Sequence, residues 1–279
     1  MRGNRSAVFL LLPFFAIVAL FFIVPLAYMA ITSFTSSGGI TLEHYKEVVT
    51  NKFILQGFKN SITLSLASAL AGLVVTLLAV YATVDLPEKI KEKILMVSNL
   101  FTTFAGVPLA FAFIIMLGNS GLFLILFDKL GIGLFSSFSL YSWTGLLLIY
   151  IYVQIPLSFM LLYPIYSGIQ KQWKEAAALL GASPFAFWRK IGIPIILPGV
   201  LGTFSVLFAN AMGAYATVYA LTFTSYNIIS IRIGALIQGD IFSQPELAGA
   251  IAIILGVTMV VAMLLNEWLI KLTRKDLAQ

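Results

Sequence analysis

The chain has 279 residues, 60% hydrophobic and only 10% charged, where a soluble domain carries about 25% charged residues; the deficit excludes an ordinary water-soluble fold and makes lipid the solvent for most of the chain. It holds no cysteine and one histidine, His44, which excludes disulfide frameworks, thiolate nucleophiles and thiol-ligated metals and argues against a histidine-based metal site. The net charge of +6 comes from Lys and Arg in short loops between apolar runs, a placement that suits orientation in a bilayer better than nucleic-acid binding.

Crossing the hydrocarbon takes a helix of about 20 apolar residues, and six stretches qualify: residues 7–31, 61–84, 94–117, 143–168, 199–223 and 247–270. None contains Lys, Arg or Asp, and their only acid is Glu267 near the end of the last. The pattern predicts an all-α membrane protein, a single transmembrane domain over residues 1–279. The first stretch follows Arg2 and Arg5, as a secretory signal would. Its apolar run exceeds the roughly 7 to 15 residues of a signal core, and a cut after Ala30 would put Tyr28 where a small residue is needed, so a retained span is expected.

An even number of spans puts both termini on one side. The two termini, residues 85–93 and residues 169–198 together hold 12 of the 17 Lys and Arg residues, and the other three loops hold five. Both termini are therefore expected in the cytoplasm of a bacterial inner-membrane protein. Trp143 then marks the outer boundary, and Trp173, Trp188 and Trp268 the inner one, where indole rings favour the headgroup layer. Pro13 and Pro25 in the first span, Pro108 in the third, and Pro156 and Pro164 in the fourth remove helix hydrogen bonds and are expected to kink those spans.

The longest cytoplasmic connection, 169–198, carries the most information. From Lys171 to Leu180 it uses strong helix formers and stops at Gly181, suited to a left-handed C-terminal position. A second helix starts at once, with Ser183 as N-cap and Pro184 in the first turn. The expected product is a short helix-turn-helix on the cytoplasmic membrane surface between spans four and five. Ala176, Leu179 and Leu180 share one side of its first helix, and Phe185, Trp188 and Ile191 one side of its second. Such a hairpin can bury its apolar side in lipid headgroups or in a groove of a partner protein, and physics alone leaves both open.

The run Glu175-Ala176-Ala177, three residues, Gly181, nine residues, Ile191-Gly192-Ile193-Pro194 resembles the EAA loop of permease subunits of binding-protein-dependent type I ABC importers, with Ile193 where the family pattern has Leu. The resemblance implies a coupling helix docked in a cleft of a separate ATPase: Glu175 against a basic or polar group, Ala176 and Ala177 in the same helix, Gly181 at the turn, and Ala182, Ser183, Pro184 and Phe185 in the cleft. It also implies a second permease subunit, identical or homologous, to complete the pore, two ATPase subunits and an extracytoplasmic solute-binding protein. No G-x-x-x-x-G-K-[ST] phosphate loop occurs in the sequence, so ATP and Mg are expected on the partner ATPase, with no cofactor or metal on this chain and no enzyme activity of its own.

Polar residues inside spans are costly unless they face protein or water, so they are the default pathway candidates: Gln154 in the fourth span, and Asn210, Tyr215, Thr217 and Tyr219 in the fifth. Asn210 and Thr217 are seven apart, as are Met212 and Tyr219, which places them on two adjacent helical stripes. Gln154 has a second reading as a hydrogen bond to a neighbouring helix, and the tyrosines as an aromatic belt. Ala209, Ala211, Gly213 and Ala214 allow close packing, expected against the partner subunit. The outer segment 225–246, with Arg232 and Asp240, is expected to form a re-entrant or lid-like element.

The run from Asn210 to Thr217, followed by Ile231-Arg232-Ile233, resembles permeases of the polyamine, phosphonate, iron and thiamine group, and a chain with a single loop points to polyamine (spermidine or putrescine) or phosphonate. The alternative class is a secondary transporter or channel working without ATP, which typically places ionisable residues at the midplane; the spans show none. A membrane enzyme would need convergent titratable groups, whereas the loop charges here are scattered.

Overall fold

The computed structural model describes residues 3–36, 38–131, 138–239 and 243–277; Arg2 and Asp240 lie outside them. In chain order the helices are α1 (Gly3–Val18) and α2 (Val24–Thr32), joined by a π-turn at Ala19–Ile23, then α3 (Glu43–Thr50), α4 (Lys52–Val84), α5 (Glu88–Thr103), α6 (Val107–Leu117) and α7 (Leu122–Lys129). There follow α8 (Trp143–Ser167), α9 (Lys171–Leu179), α10 (Pro184–Phe187), a second π-turn at Trp188–Gly192, α11 (Ile193–Met212), α12 (Ala216–Thr222), α13 (Ile229–Gln238) and α14 (Pro245–Leu277). A two-residue antiparallel pair, β1 (Thr35–Ser36) with β2 (Gly39–Ile40), is the only sheet among the described residues. Six helical stretches are long and apolar enough to cross a membrane, so the fold is an all-α membrane fold of six spans.

Three spans differ from expectation: the second starts at Lys52 rather than at residue 61, and the third and fifth are displaced. Residues 94–117 are not one helix: α5 ends at Thr103 and α6 starts at Val107. Gly106 lies between them at φ 75, a left-handed value glycine takes without penalty, and Pro108 opens the first turn of α6, where its missing N–H leaves no bond unmade. The third apolar stretch is therefore Val107–Lys129. The fifth starts earlier than residue 199, at Pro184, and runs to Met212; residues 213–215 interrupt it before α12.

The prolines act differently from one another. Pro25 and Pro194 each follow a π-turn by two residues. A proline ring clashes with the carbonyl four residues back, and here that carbonyl belongs to Phe21 or Lys190, inside the widened turn, so the helix passes without breaking. Pro13, Pro156 and Pro164 lie within continuous helices.

The chain divides into two compact units. One comprises residues 1–58 and 227–257. Within it Ser33 is fully buried, donating to the Ala30 carbonyl at 2.7 Å and sharing a 2.7 Å hydrogen bond with the Tyr45 hydroxyl. Phe34 stacks on Tyr45, and His44 Nε2 lies 3.0 Å from the Thr35 carbonyl oxygen. Segment 225–246 contributes α13, a short apolar helix rather than a span. The Arg232 guanidinium lies over the Phe53 ring at 4.4 Å, and partial burial lowers its pKa.

The other unit comprises residues 59–226 and 258–279. Its centre is α8, on which α5 and α11 pack. Buried polar pairs hold the helices: Thr76 Oγ1 and Ser158 Oγ at 2.5 Å between α4 and α8, Gln154 Nε2 donating to the Leu207 carbonyl at 2.8 Å between α8 and α11, and Asn266 Nδ2 donating to the Leu201 carbonyl and Ser205 Oγ between α14 and α11. In an apolar solvent there is little hydrophobic drive between helices, and such bonds contribute on the order of 0.6 kcal/mol each. α6 packs on α12, where the Gly106 N–H donates to Thr217 Oγ1 at 3.0 Å.

Candidate functional site

The hairpin turn is built by backbone geometry. The Ala182 N–H donates to the Ala177 carbonyl and the Gly181 N–H to the Ala178 carbonyl, both at 2.9 Å, around Gly181 at φ 79. This is the paired bonding that ends a helix through a left-handed residue. A Cβ on Gly181 would meet nothing within 4 Å, so conformation alone asks for glycine there. Ser183 then accepts from the Ala186 N–H at 3.2 Å as N-cap, with Pro184 in the first turn. The turn leaves no slack between α9 and α10.

The apolar side drawn by the spacing stands free at the tip of this chain. Ala177 and Phe187 are the residues that bury, whereas Leu179 and Leu180 are 90% and 89% exposed and Phe185 75%. The hairpin is not a detached element: α10 continues through the π-turn into α11, so the second hairpin helix is the start of the fifth span. Hairpin tip and fifth span thereby form one continuous helical stretch of 29 residues, Pro184–Met212.

Trp188 is a packing residue more than a headgroup anchor. Its ring centroid lies 5.5 Å from that of Tyr81, 5.9 Å from Tyr166 and 6.0 Å from Phe187, with Lys174 Nζ at 5.7 Å from the indole. Gly192 gives it room, because a Cβ there would overlap the indole ring. The glycine of the Ile-Gly-Ile-Pro run thus seats the tryptophan that ties hairpin to bundle, a pairing sequence spacing did not expose although the two are four apart. Glu175 is exposed, with Oε1 3.7 Å from Lys171 Nζ, a solvent-facing pair of little strength. Beside it opens a cavity of about 550 Å³ bounded by Asp85, Lys91, Lys171, Lys174 and Glu175 among others.

The pathway candidates separate. Gln154, Asn210 and Thr217 meet at a small cavity of about 40 Å³ between α8 and the break after α11. Gln154 is 1% exposed and makes the interhelical bond to Leu207 described above, while Asn210 is exposed. The seven-residue stripes do not hold, since the break at 213–215 lies between their members; Met212 is buried. Tyr215 falls in the break and stacks on Tyr219 with centroids 5.3 Å apart. Ala211, expected against a partner, is buried within this chain. No group of three His, Cys, Asp or Glu residues able to hold a metal occurs among the described residues.

No family model matches the chain. It is 25% identical over 248 residues, 86% of each chain, to the spermidine/putrescine transport system permease protein PotC of Escherichia coli K12. It is 26% identical over 226 residues, 80% of this chain and 76% of the relative, to the trehalose transport system permease protein SugB of Mycobacterium tuberculosis. Among solved structures it resembles a chain of a bacterial ABC transporter involved in the import of alginate, with a TM-score of 0.76, 16% identity and 97% and 96% of the two chains covered. Fold and relatives agree: in sequence and in architecture the chain is similar to permease subunits of ABC importers.

Proposed function

We propose that the hairpin at 169–198 couples ATP hydrolysis on a separate subunit to movement of the spans, with both termini in the cytoplasm. The observation that carries this is the tip itself: Leu179, Leu180 and Phe185 stand exposed on a turn closed by paired backbone bonds, at the end of a helix continuous with the fifth span. Each large apolar side chain moved from water into a partner's groove is worth about 1.5–3 kcal/mol, so three together make an anchor for an ATPase cleft. Glu175, Ala176, Ala177, Gly181, Ala182, Ser183, Pro184 and Phe185 form the coupling element. ATP and Mg belong to that partner; a second permease subunit and an extracytoplasmic solute-binding protein complete the importer.

The solute is a polyamine. Support comes from the resemblance at 210–217 and 231–233 and from the E. coli polyamine permease, matched over 86% of both chains. Phosphonate, the other solute named from the sequence, draws no support from these relatives. Asn210, Tyr215, Thr217 and Tyr219 border the pathway, and Gln154 behind them holds α8 to α11. Uptake by the assembled importer in proteoliposomes tests both readings. ATP-dependent, binding-protein-dependent entry of putrescine or spermidine is expected. Uptake of trehalose instead removes the polyamine reading, and uptake by the chain alone down an ion gradient removes the coupling reading.

A further inference from the structure

At the end of the fifth span remote from the hairpin, Phe223 follows α12 with φ 50 and ψ −119, the only positive φ of a non-glycine among the described residues. A bulky side chain in that region costs on the order of 1–3 kcal/mol. Burial does not offset it, because the ring is 65% exposed. Its ring meets Tyr219 edge-on at 5.9 Å, and Tyr219 stacks on Tyr215, so aromatic faces continue four residues apart from Phe223 toward Asn210.

Phe223 walls a cavity of about 200 Å³ whose other lining residues are Tyr141, Leu221, Thr222, Ser225 and Tyr226. The lining residues carry three aromatic rings and four hydroxyl groups, with no Lys, Arg, Asp or Glu among them. The Thr222 hydroxyl donates to the Val218 carbonyl, which leaves its oxygen as an acceptor. Ring faces carry negative potential and attract a cation by about 0.5–2 kcal/mol, and neutral oxygens accept from its N–H groups. An anion finds no positive charge there. The volume takes an alkylammonium end more readily than a disaccharide.

We propose that this cavity is a subsite for the alkylammonium group of the solute, and that the backbone of Phe223 is held strained to wall it with an aromatic ring. The proposal rests on the polyamine reading above and names the atoms that would recognise such a solute.

The test uses the full chain assembled with its ATPase in lipid nanodiscs. Because the chain has no cysteine, Thr224→Cys, between the lining residues Phe223 and Ser225, gives one fluorine NMR signal from this chain when it carries a trifluoromethyl tag. Putrescine and tetramethylammonium are expected to shift it saturably, and 1,4-butanediol, sulfate and trehalose to leave it unchanged. Phe223→Gly is expected to weaken the putrescine response about tenfold without lowering the thermal unfolding temperature, because glycine relieves the strain, and Phe223→Tyr to retain the response. An equal response to butanediol or trehalose, a wild-type response in Phe223→Gly, or a lower unfolding temperature in that variant overturns the proposal. If putrescine is imported while the tag stays silent, the subsite alone fails; if the tag responds but putrescine is not imported, the solute assignment fails and the cation site stands.

Discussion

The indole of Trp188 occupies the space where a Cβ on Gly192 would stand, so the two residues lock the root of the hairpin to α11. Gly192→Ala is therefore expected to destabilise the protein by about 1–3 kcal/mol through overpacking. Combining it with Trp188→Leu should recover part of that loss by removing the overlapping ring. Thermal unfolding in detergent for the two single variants and the pair measures the coupling, and simple additivity contradicts the packing described here.

Gly181 is constrained differently. With open space around its α-carbon, the cost of Gly181→Ala is conformational, about 1–2 kcal/mol for a left-handed residue with a Cβ, and Gly181→Asn should cost less because Asn tolerates that region. ATP hydrolysis stimulated by the binding protein is expected to fall in the order Gly, Asn, Ala. Equal activity in all three would mean the turn does not set the pose of the hairpin.

Leu179→Ser with Leu180→Ser removes two exposed side chains that make no contribution to the core. The unfolding temperature of the isolated chain should stay put, while affinity for the ATPase, read as retention on co-purification, drops about a hundredfold or more, the effect of losing roughly 1.5 kcal/mol or more for each of two side chains. A drop in unfolding temperature with unchanged retention would place these leucines in the fold instead.

Much of this was legible in the sequence. Long charge-free runs locate six spans because lipid demands about 20 apolar residues regardless of tertiary context, and Ser183, Pro184 and Gly181 announce the hairpin ends through local backbone chemistry. Apolar content does not register the breaks at Gly106 and at 213–215, so the third and fifth spans came out displaced and the stripes through Asn210 and Thr217 assumed a helix that stops. The π-turn before Pro194 carries that proline through the helix that leads into the fifth span.

Gln154 separates a packing role from a pathway role. Its Nε2 holds the Leu207 carbonyl while its Oε1 is buried without a partner, so Gln154→Leu removes one interhelical bond together with one unsatisfied acceptor. The net change in stability is expected to be small, about 1 kcal/mol or less in either direction, with solute preference unchanged. A shift in which solute is imported would put this side chain in contact with it.

The central claim is that the hairpin tip seats in an ATPase. A thiol introduced by Leu180→Cys is unique in this chain, and cross-linking it in native membranes to the co-expressed ATPase subunit tests the claim most directly. The account predicts a covalent adduct with the ATPase at Leu180→Cys and none at Phe123→Cys, on the exposed surface of α7. Capture of lipid alone at position 180, with the ATPase present and active, would contradict it.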